Sequence, residues 1–201
     1  MVESQETPIN WIVFEPKLGN LSDYQKKTVS DQIDKAKDLI NSNISRGQKL
    51  EDNNNYYAWL EIAIRQKSIG DYEHAEKIWL WFNDAYPGNS VSPMNLGDLY
   101  KSFLIDKEKS EQYYKLALDR EKHDFNIYNG LFELYRYNFN DSALAVAVLK
   151  DGLKNNPDDQ RYVETLALYL VSIQNSTEAS ALIEDFIKTH PAAKGLRKIL
   201  N

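Results

Sequence analysis

Residues 55–87, NYYAWLEIAIRQKSIGDYEHAEKIWLWFNDAYP, decide the fold class of this chain. Two amphipathic segments in it are separated by a short turn that contains Gly70, and the second segment ends at Pro87. Glycine accepts the left-handed conformation that closes a helix, and proline cannot continue one. Ala75 is small enough to let two antiparallel helices approach closely, while large aromatic residues such as Trp79 fill the space beside it. The stretch therefore predicts a helix–turn–helix unit.

The same spacing returns later in the chain. An alanine precedes a proline by twelve residues three times, as Ala75 and Pro87, Ala145 and Pro157, and Ala179 and Pro191. Pro157 and Pro191 are 34 residues apart. A helix–turn–helix period of this length, with small residues and prolines in fixed places, resembles the tetratricopeptide repeat. The resemblance covers roughly residues 55–193, or about four repeats.

The repeats keep the family's signature positions with two irregularities. The second repeat has Lys122 in place of the terminal proline and carries one extra residue in its turn, and the third repeat also needs one insertion. The matching residues, repeat by repeat, are Trp59, Ala63, Ala75, Trp79 and Pro87; Leu96, Gly97, Tyr100, Ser110, Tyr114 and Ala117; Leu131, Tyr135, Ala145, Leu149, Gly152 and Pro157; and Leu166, Ala167, Ala179, Ile183 and Pro191.

This resemblance implies an all-α fold, a right-handed superhelical solenoid of antiparallel helix pairs. We expect residues 55–201 to form the solenoid, closed by a short capping helix at 191–200. Residues 1–54 are expected to form an N-terminal extended segment followed by a capping helix over about residues 22–46. Ser22 and Gln25 match a capping box at the start of that helix. Residues 47–55, GQKLEDNNN, predict a flexible connector because their asparagines compete for the backbone.

The helix boundaries follow from the apolar periodicity and the capping residues. The predicted pairs span residues 56–66 and 72–85, 91–103 and 108–121, 126–137 and 142–154, and 159–173 and 177–188. Asp106 is expected to cap the second helix of the second pair, and either Asn140 or Asp141 that of the third pair. Ser176 is expected to cap the last helix.

Composition limits the classes of function. The net charge of −6 and the pI of about 5.2 argue against nucleic acid as a partner, since such binding needs a basic face. No apolar run is long enough to span a bilayer, so we expect no direct membrane insertion. The chain has no cysteine, which excludes disulfides and thiolate metal sites. Its compartment is unknown: it is cytoplasmic by default, or the soluble domain of an anchored or exported protein whose upstream segment was removed.

No catalytic constellation stands out. The phosphate-binding and nucleophile-elbow glycine motifs are absent from the sequence. His74, His123 and His190 are far apart and have no ligand-spaced partner, so we expect solvated or capping histidines rather than a metal site. We therefore predict no cofactor and no enzymatic activity.

Because no catalytic site is predicted, we expect the function to depend on a binding surface. In the tetratricopeptide architecture the first helices of the pairs line a concave groove, and the resemblance implies a protein or peptide partner there. The groove positions carried over by register are Tyr57, Leu60, Ile64, Lys67, Val91, Met94, Asp98, Lys101, Asn126, Asn129, Glu133, Arg136, Arg161, Glu164 and Leu168. The apolar end of this set has an equally weighted alternative, in which Tyr57, Leu60 and Ile64 are buried under the capping segment.

Two functions fit these features. The first is a non-enzymatic adaptor that holds a partner peptide or helix in its groove, as a monomer or weak homo-oligomer. The alternative is a structural or assembly module of a larger, possibly membrane-attached complex. That module would use its outer face and the apolar segment around Trp11 and Phe14. Trp81 points toward the outer side of its helix, where packing within the chain is favoured over a partner contact.

Overall fold

Throughout residues 21–200, the part of the chain that the computed structural model describes, the regular elements are helices joined by turns. The α-helices are α1 (Asp23–Ser45), α2 (Tyr56–Ser68), α3 (Tyr72–Ala85), α4 (Val91–Leu99), α5 (Lys107–Arg120), α6 (Phe125–Glu133), α7 (Ser142–Asn155), α8 (Gln160–Ser172) and α9 (Ser176–Thr189). Two 3₁₀ helices cover Asn53–Asn55 and Pro191–Leu200, and π-helical turns at Tyr100–Leu104 and Leu134–Phe139 extend α4 and α6. The predicted all-α helical repeat is confirmed.

The chain divides into two compact units, with the boundary in sequence between Ile105 and Asp106. In the first unit α1 packs on α2, α2 on α3, and α3 on α4. The predicted capping helix is therefore an integral part of this unit, and its capping box between Ser22 and Gln25 is present. Trp59 and Trp79 are fully buried in the core. The predicted N-terminal extended segment lies outside the described residues.

The second unit joins α5 to α6, α6 to α7, α7 to α8 and α8 to α9 by direct packing. The 3₁₀ helix at Pro191–Leu200 packs on α8 and α9, as expected of a C-terminal cap. Leu196 is its buried anchor. Arg197 holds it from the outside, because its guanidinium makes two hydrogen bonds of 2.6 Å to the carboxylate of Glu184 on α9.

The signature residues form the core in both units. Apart from the terminal prolines, every position that the repeat register identified is buried. Small residues mark the closest approaches. A methyl group added at Gly152 would collide with the ring of Tyr162 and lie 3.0 Å from Tyr128. Gly130 likewise leaves room for the ring of Tyr114. The helices approach closely enough that these two positions exclude any side chain.

All four first helices end on a residue in the left-handed conformation. The φ angles are 82° at Gly70, 53° at Ile105, 54° at Asn140 and 62° at Gln174. The middle two follow the π-helical turns, where the N–H of Ile105 bonds to the carbonyl of Tyr100 and the N–H of Asn140 to that of Tyr135. The extra residue that the repeat period indicated is therefore absorbed in the last turn of the helix.

Local capping explains most helix starts and corrects one prediction. Asp106 and Asp141 cap α5 and α7, accepting from the backbone N–H of Lys109 at 3.0 Å and of Leu144 at 2.9 Å. The prediction for Ser176 is wrong, since Ser176 is the first helical residue of α9 and the cap position is occupied by Asn175. Asn175 makes no side-chain cap and instead donates to Glu178 at 2.6 Å.

The segment between α1 and α2 is ordered, so the prediction of a flexible connector is wrong. Asn55 is fully buried, where it accepts a hydrogen bond from Asn43 at 2.9 Å and donates to the carbonyl of Lys49 at 2.9 Å. The indole of Trp59 donates to the carbonyl of Leu50 at 3.1 Å. Of the three asparagines that suggest a loop in the sequence, Asn55 is therefore satisfied by partners within the fold, whereas Asn53 and Asn54 are exposed.

Gly152→Ala should lower the free energy of unfolding by about 1–3 kcal/mol, because the added methyl group overlaps the fully buried ring of Tyr162. The matched control is Gly195→Ala in the same unit, where the new methyl group meets nothing within 4 Å. Urea denaturation of both variants measures the difference. Equal stability of the two would contradict the close approach described at Gly152.

Ile105→Asn should raise the free energy of unfolding by about 1 kcal/mol, because β-branched residues are strained in the left-handed region and asparagine is not. Ile105 is 71% exposed, so little packing is lost. The reciprocal change Asn140→Ile places isoleucine in the equivalent conformation and should be destabilising by a similar amount. Chemical denaturation of the two variants tests both signs, and a loss of stability in Ile105→Asn would refute the strain.

Candidate functional site

In the first unit, the predicted groove residues of α2 share one face of that helix. Tyr57 is 77% exposed, and its ring meets that of Tyr56 edge-on with centroids 5.1 Å apart. Leu60, Ile64 and Lys67 are partly exposed. The alternative in which a capping segment buries these side chains stays a prediction, because the N-terminal extended segment lies outside the described residues. The face is an apolar surface that ends in a lysine.

The predicted residues of α4 continue with less apolar character. Val91 and Met94 are partly exposed on the first two turns. Asp98 and Lys101 lie one turn apart and form an ion pair of 3.6 Å. The exposed apolar atoms of the first unit's predicted groove residues are therefore concentrated on α2 and the start of α4.

In the second unit, three predicted residues of α6 lie along one polar strip. Asn126 is exposed, and its backbone N–H donates to the capping carboxylate of Asp124 at 2.8 Å. The side-chain amide of Asn129 donates to Glu133 at 3.2 Å. These polar groups satisfy one another in part and leave an open, hydrophilic surface.

Arg136 is the fourth predicted residue of this strip and lies in the π-helical turn. Its guanidinium carbon is 4.7 Å from the ring centroid of Tyr137, 5.0 Å from that of Tyr169 and 5.9 Å from that of Phe132. The rings of Phe132 and Tyr169 are themselves in edge contact at 5.1 Å. Arg136 is thus a half-buried cation in contact with three aromatic rings.

The predicted residues of α8 complete the set. Arg161 is engaged locally, because its guanidinium donates three hydrogen bonds to the capping carboxylate of Asp159, at 2.9, 3.1 and 2.6 Å. It also covers the ring of Phe125, with its guanidinium carbon 4.7 Å from the ring centroid. The hydrogen bonds to Arg161 lower the pKa of Asp159. Glu164 is exposed and Leu168 is 53% exposed. Both line a cavity of about 340 Å³ against the C-terminal 3₁₀ helix.

On α6 and α8 the described acidic and basic groove residues are not bonded to one another. In the described structure Arg136 and Glu164 are not hydrogen-bonded to each other, and neither is hydrogen-bonded to Glu133. These side chains of α6 and α8 therefore form no acid–base pair. Among residues 21–200, no three histidine, aspartate or glutamate side chains come together as a candidate metal site. Over the same residues, no helix has the length and apolar character needed to cross a bilayer.

The histidines have structural surroundings. Of the histidines predicted to be solvated or capping, His74 is buried and is bonded at 2.7 Å to the equally buried Asp71, the residue at the cap position of α3. His123 is exposed and lies 3.0 Å from the side-chain oxygen of Asn156. His190 stacks on Phe186 at the end of α9, with ring centroids 4.1 Å apart.

The preference for intramolecular packing of Trp81 is confirmed. Its ring lies 4.8 Å from that of Trp59 and 6.3 Å from that of Tyr86. Tyr86 contacts Phe82 at 4.6 Å, and Phe82 contacts Tyr56 at 4.9 Å. Trp81 therefore belongs to an aromatic cluster that joins α2 to α3.

Sequence reasoning missed the two tyrosine–glutamate bonds that accompany the π-helical turns. The hydroxyl of Tyr100 donates to Glu76, and that of Tyr135 donates to Glu111 at 2.7 Å, in each case 24 residues back. Burial raises the pKa of Tyr135, and the bond to Glu111 adds to the effect. Partial burial opposes ionisation of Glu111, but hydrogen bonds from Lys115 and Tyr135 outweigh it and lower the pKa of that carboxyl. The signal available in the sequence was the shared 24-residue spacing.

Comparisons with known proteins bear on the fold. No protein-family model matches the chain, and no curated protein sequence matches it either. Among solved structures, a double mutant of MamA, a tetratricopeptide-repeat protein, is similar with a TM-score of 0.53 at 10% sequence identity. The match covers 89% of this chain and 99% of the MamA chain. The described helices thus have the fold of a tetratricopeptide-like helical repeat.

Tyr135→Phe should lower the free energy of unfolding by roughly 1.5–3 kcal/mol at neutral pH, because Glu111 then loses a partner for its charge. The pKa of Glu111 is lowered by folding, so its contribution is present above the unfolded value of about 4.5 and is lost as the pH falls through the folded value. Denaturant melts between pH 3 and pH 7 should therefore show a shallower acid-side loss of stability in the variant than in the wild type. An unchanged pH profile would mean that this bond does not support the charged carboxylate.

Proposed function

We propose that this chain is a non-enzymatic protein-interaction domain that binds a peptide or helix of a partner protein on the exposed faces of its first helices. The observation that carries the proposal is the apolar face of α2 in the first unit, where Tyr57 is almost fully exposed beside Leu60 and Ile64. An exposed tyrosine bordered by aliphatic side chains is typical of a partner-binding surface, because it offers a large contact area with little rotamer entropy to lose.

The fold supports the same function. Helical repeats present extended rows of side chains on which a partner segment can lie, and the likeness to MamA concerns this architecture. The residues that we assign to binding lie on α2 and α4 in the first unit and on α6 and α8 in the second. The α2 face is apolar and suits an apolar anchor of a partner segment, whereas the faces of α6 and α8 are charged and suit polar residues.

The triple change Leu60→Asp, Ile64→Asp and Met94→Asp should weaken partner binding at least tenfold, because three carboxylates would lose hydration in an apolar contact. The control variant carries Tyr24→Asp, Leu39→Asp and Ile105→Asp, three exposed positions outside the proposed face. Quantitative affinity capture of both variants beside the wild type is the measurement, with circular dichroism to verify folding. A folded triple variant that keeps every partner would overturn the assignment.

A second candidate is an assembly module, and a specific observation favours it. The second helices also expose apolar atoms: Ala143, Val146 and Ala147 of α7 line a cavity of about 400 Å³ together with Leu170 and Ile173. The partner in this case would be another subunit of a complex, bound through the second helices and the segment around Trp11 and Phe14. Light scattering after size exclusion distinguishes the two: self-association that is lost on deleting residues 1–20 favours assembly, and a monomer that binds peptides favours the interaction domain.

A further inference from the structure

Arg136 differs from the other well-anchored arginines of the chain in what surrounds its charge. Arg65, Arg161 and Arg197 each have a carboxylate oxygen 2.6 Å from a guanidinium nitrogen. Arg136 instead lies against the rings of Tyr137, Tyr169 and Phe132, and within residues 21–200 it makes no hydrogen bond or ion pair. Aromatic rings orient a guanidinium without occupying its N–H donors.

A second cation lies at the same turn. The ammonium group of Lys107, at the start of α5, is 4.7 Å from the ring centroid of Phe139, in the π-helical turn that also contains Arg136. Lys107 likewise has no carboxylate partner in the described part of the chain. The acids nearest to Arg136 in sequence make other bonds, since Glu133 accepts from Asn129 and Asp141 caps α7. Asp106, beside Lys107, caps α5. This end of α6 therefore presents two ring-held cations that have no ion-pair partner within residues 21–200.

The surroundings of Arg136 favour a carboxylate on a polypeptide. A guanidinium with its carbon over aromatic rings presents its donors in a plane, which matches the two oxygens of a carboxylate. Tyr137 is 67% exposed, so its ring also offers an apolar contact for a neighbouring side chain of the same ligand. Positive charge with apolar contact beside it is the complement of an acidic residue next to an apolar one.

We propose that Arg136 is an anion anchor that takes the side-chain carboxylate of a glutamate or aspartate in the bound partner segment. Lys107 adds charge at the same turn, and the exposed ring of Tyr137 receives an apolar neighbour of that acid. The positioning residues, which orient the guanidinium before the partner binds, are Tyr137, Tyr169 and Phe132. The proposal rests on the proposed function, because it names the chemistry of the segment that the first-helix faces bind.

The test uses the full chain and arrays of short synthetic peptides. The peptides share one randomised set of apolar and polar flanking residues and differ only at the central position, which is Glu, Gln or Lys. Wild type should bind the Glu set about tenfold more tightly than the Gln set and should bind the Lys set least, since a charge-assisted pair replaces a neutral contact. Arg136→Gln should remove the preference, and Arg136→Lys should keep part of it.

The matched control is Arg46→Gln, which removes the same charge at an exposed position at the end of α1 and should leave the preference intact. Tyr137→Ala should reduce the preference without abolishing it, because the guanidinium keeps its charge but loses one ring. Equal binding of the Glu and Gln sets by the wild type would overturn the anchor while leaving the proposed function standing. No binding of any peptide would overturn both.

Discussion

The structure depends on apolar burial between consecutive helices that no single pair can complete alone. Each helix pair buries one side against its own partner and leaves the other to the next element in the chain. The contact is made possible by small residues at the closest points: Ala75 in the first unit, Ala145 and Ala179 in the second, all fully buried. Gly152 shows how tight the approach is, because the ring of Tyr162 occupies the space that a side chain would need.

An insertion in such an array has to be absorbed without moving the buried positions. In two repeats it is absorbed by a π-helical turn at the end of the first helix, which keeps the preceding signature tyrosine buried. The tyrosine then reaches back to a glutamate, as Tyr135 does to Glu111. Each π-helical turn is followed by a residue in the left-handed conformation. Asn140 adopts this conformation readily, whereas Ile105 is strained in it.

The same irregular turn shapes the surface that we connect with function. A regular helix end would place a different set of side chains beside α8, but the π-helical turn of α6 brings Arg136 between Tyr137 and Tyr169. π-helical segments are frequent at functional sites because they change the direction of side chains locally. In the second unit this surface offers an oriented charge on Arg136 and apolar area on the rings around it.

How much of the structure the sequence predicts depends on how far apart in sequence the interacting residues lie. The spacing from Ala75 to Pro87 predicted the helix pairs and their buried positions, because every repeat buries the same positions against its neighbours. The cap at Asp106 was predictable as well, since it depends on neighbours within one turn. Asn55 was misread, because its partner Asn43 lies on another helix and only folding brings the two together.

The groove positions were assigned by register, and several of their properties could not follow from it. Lys67 and Arg136 are both basic residues at the same position of the repeat, yet only Arg136 is surrounded by rings, one of them supplied by Tyr169 from the next repeat. By itself, the sequence determined a helical repeat and which side of each helix is buried, because periodicity and small residues are local properties of the chain. Tertiary structure alone decided which charges are paired and which remain available, because pairing depends on side chains that lie far apart in sequence.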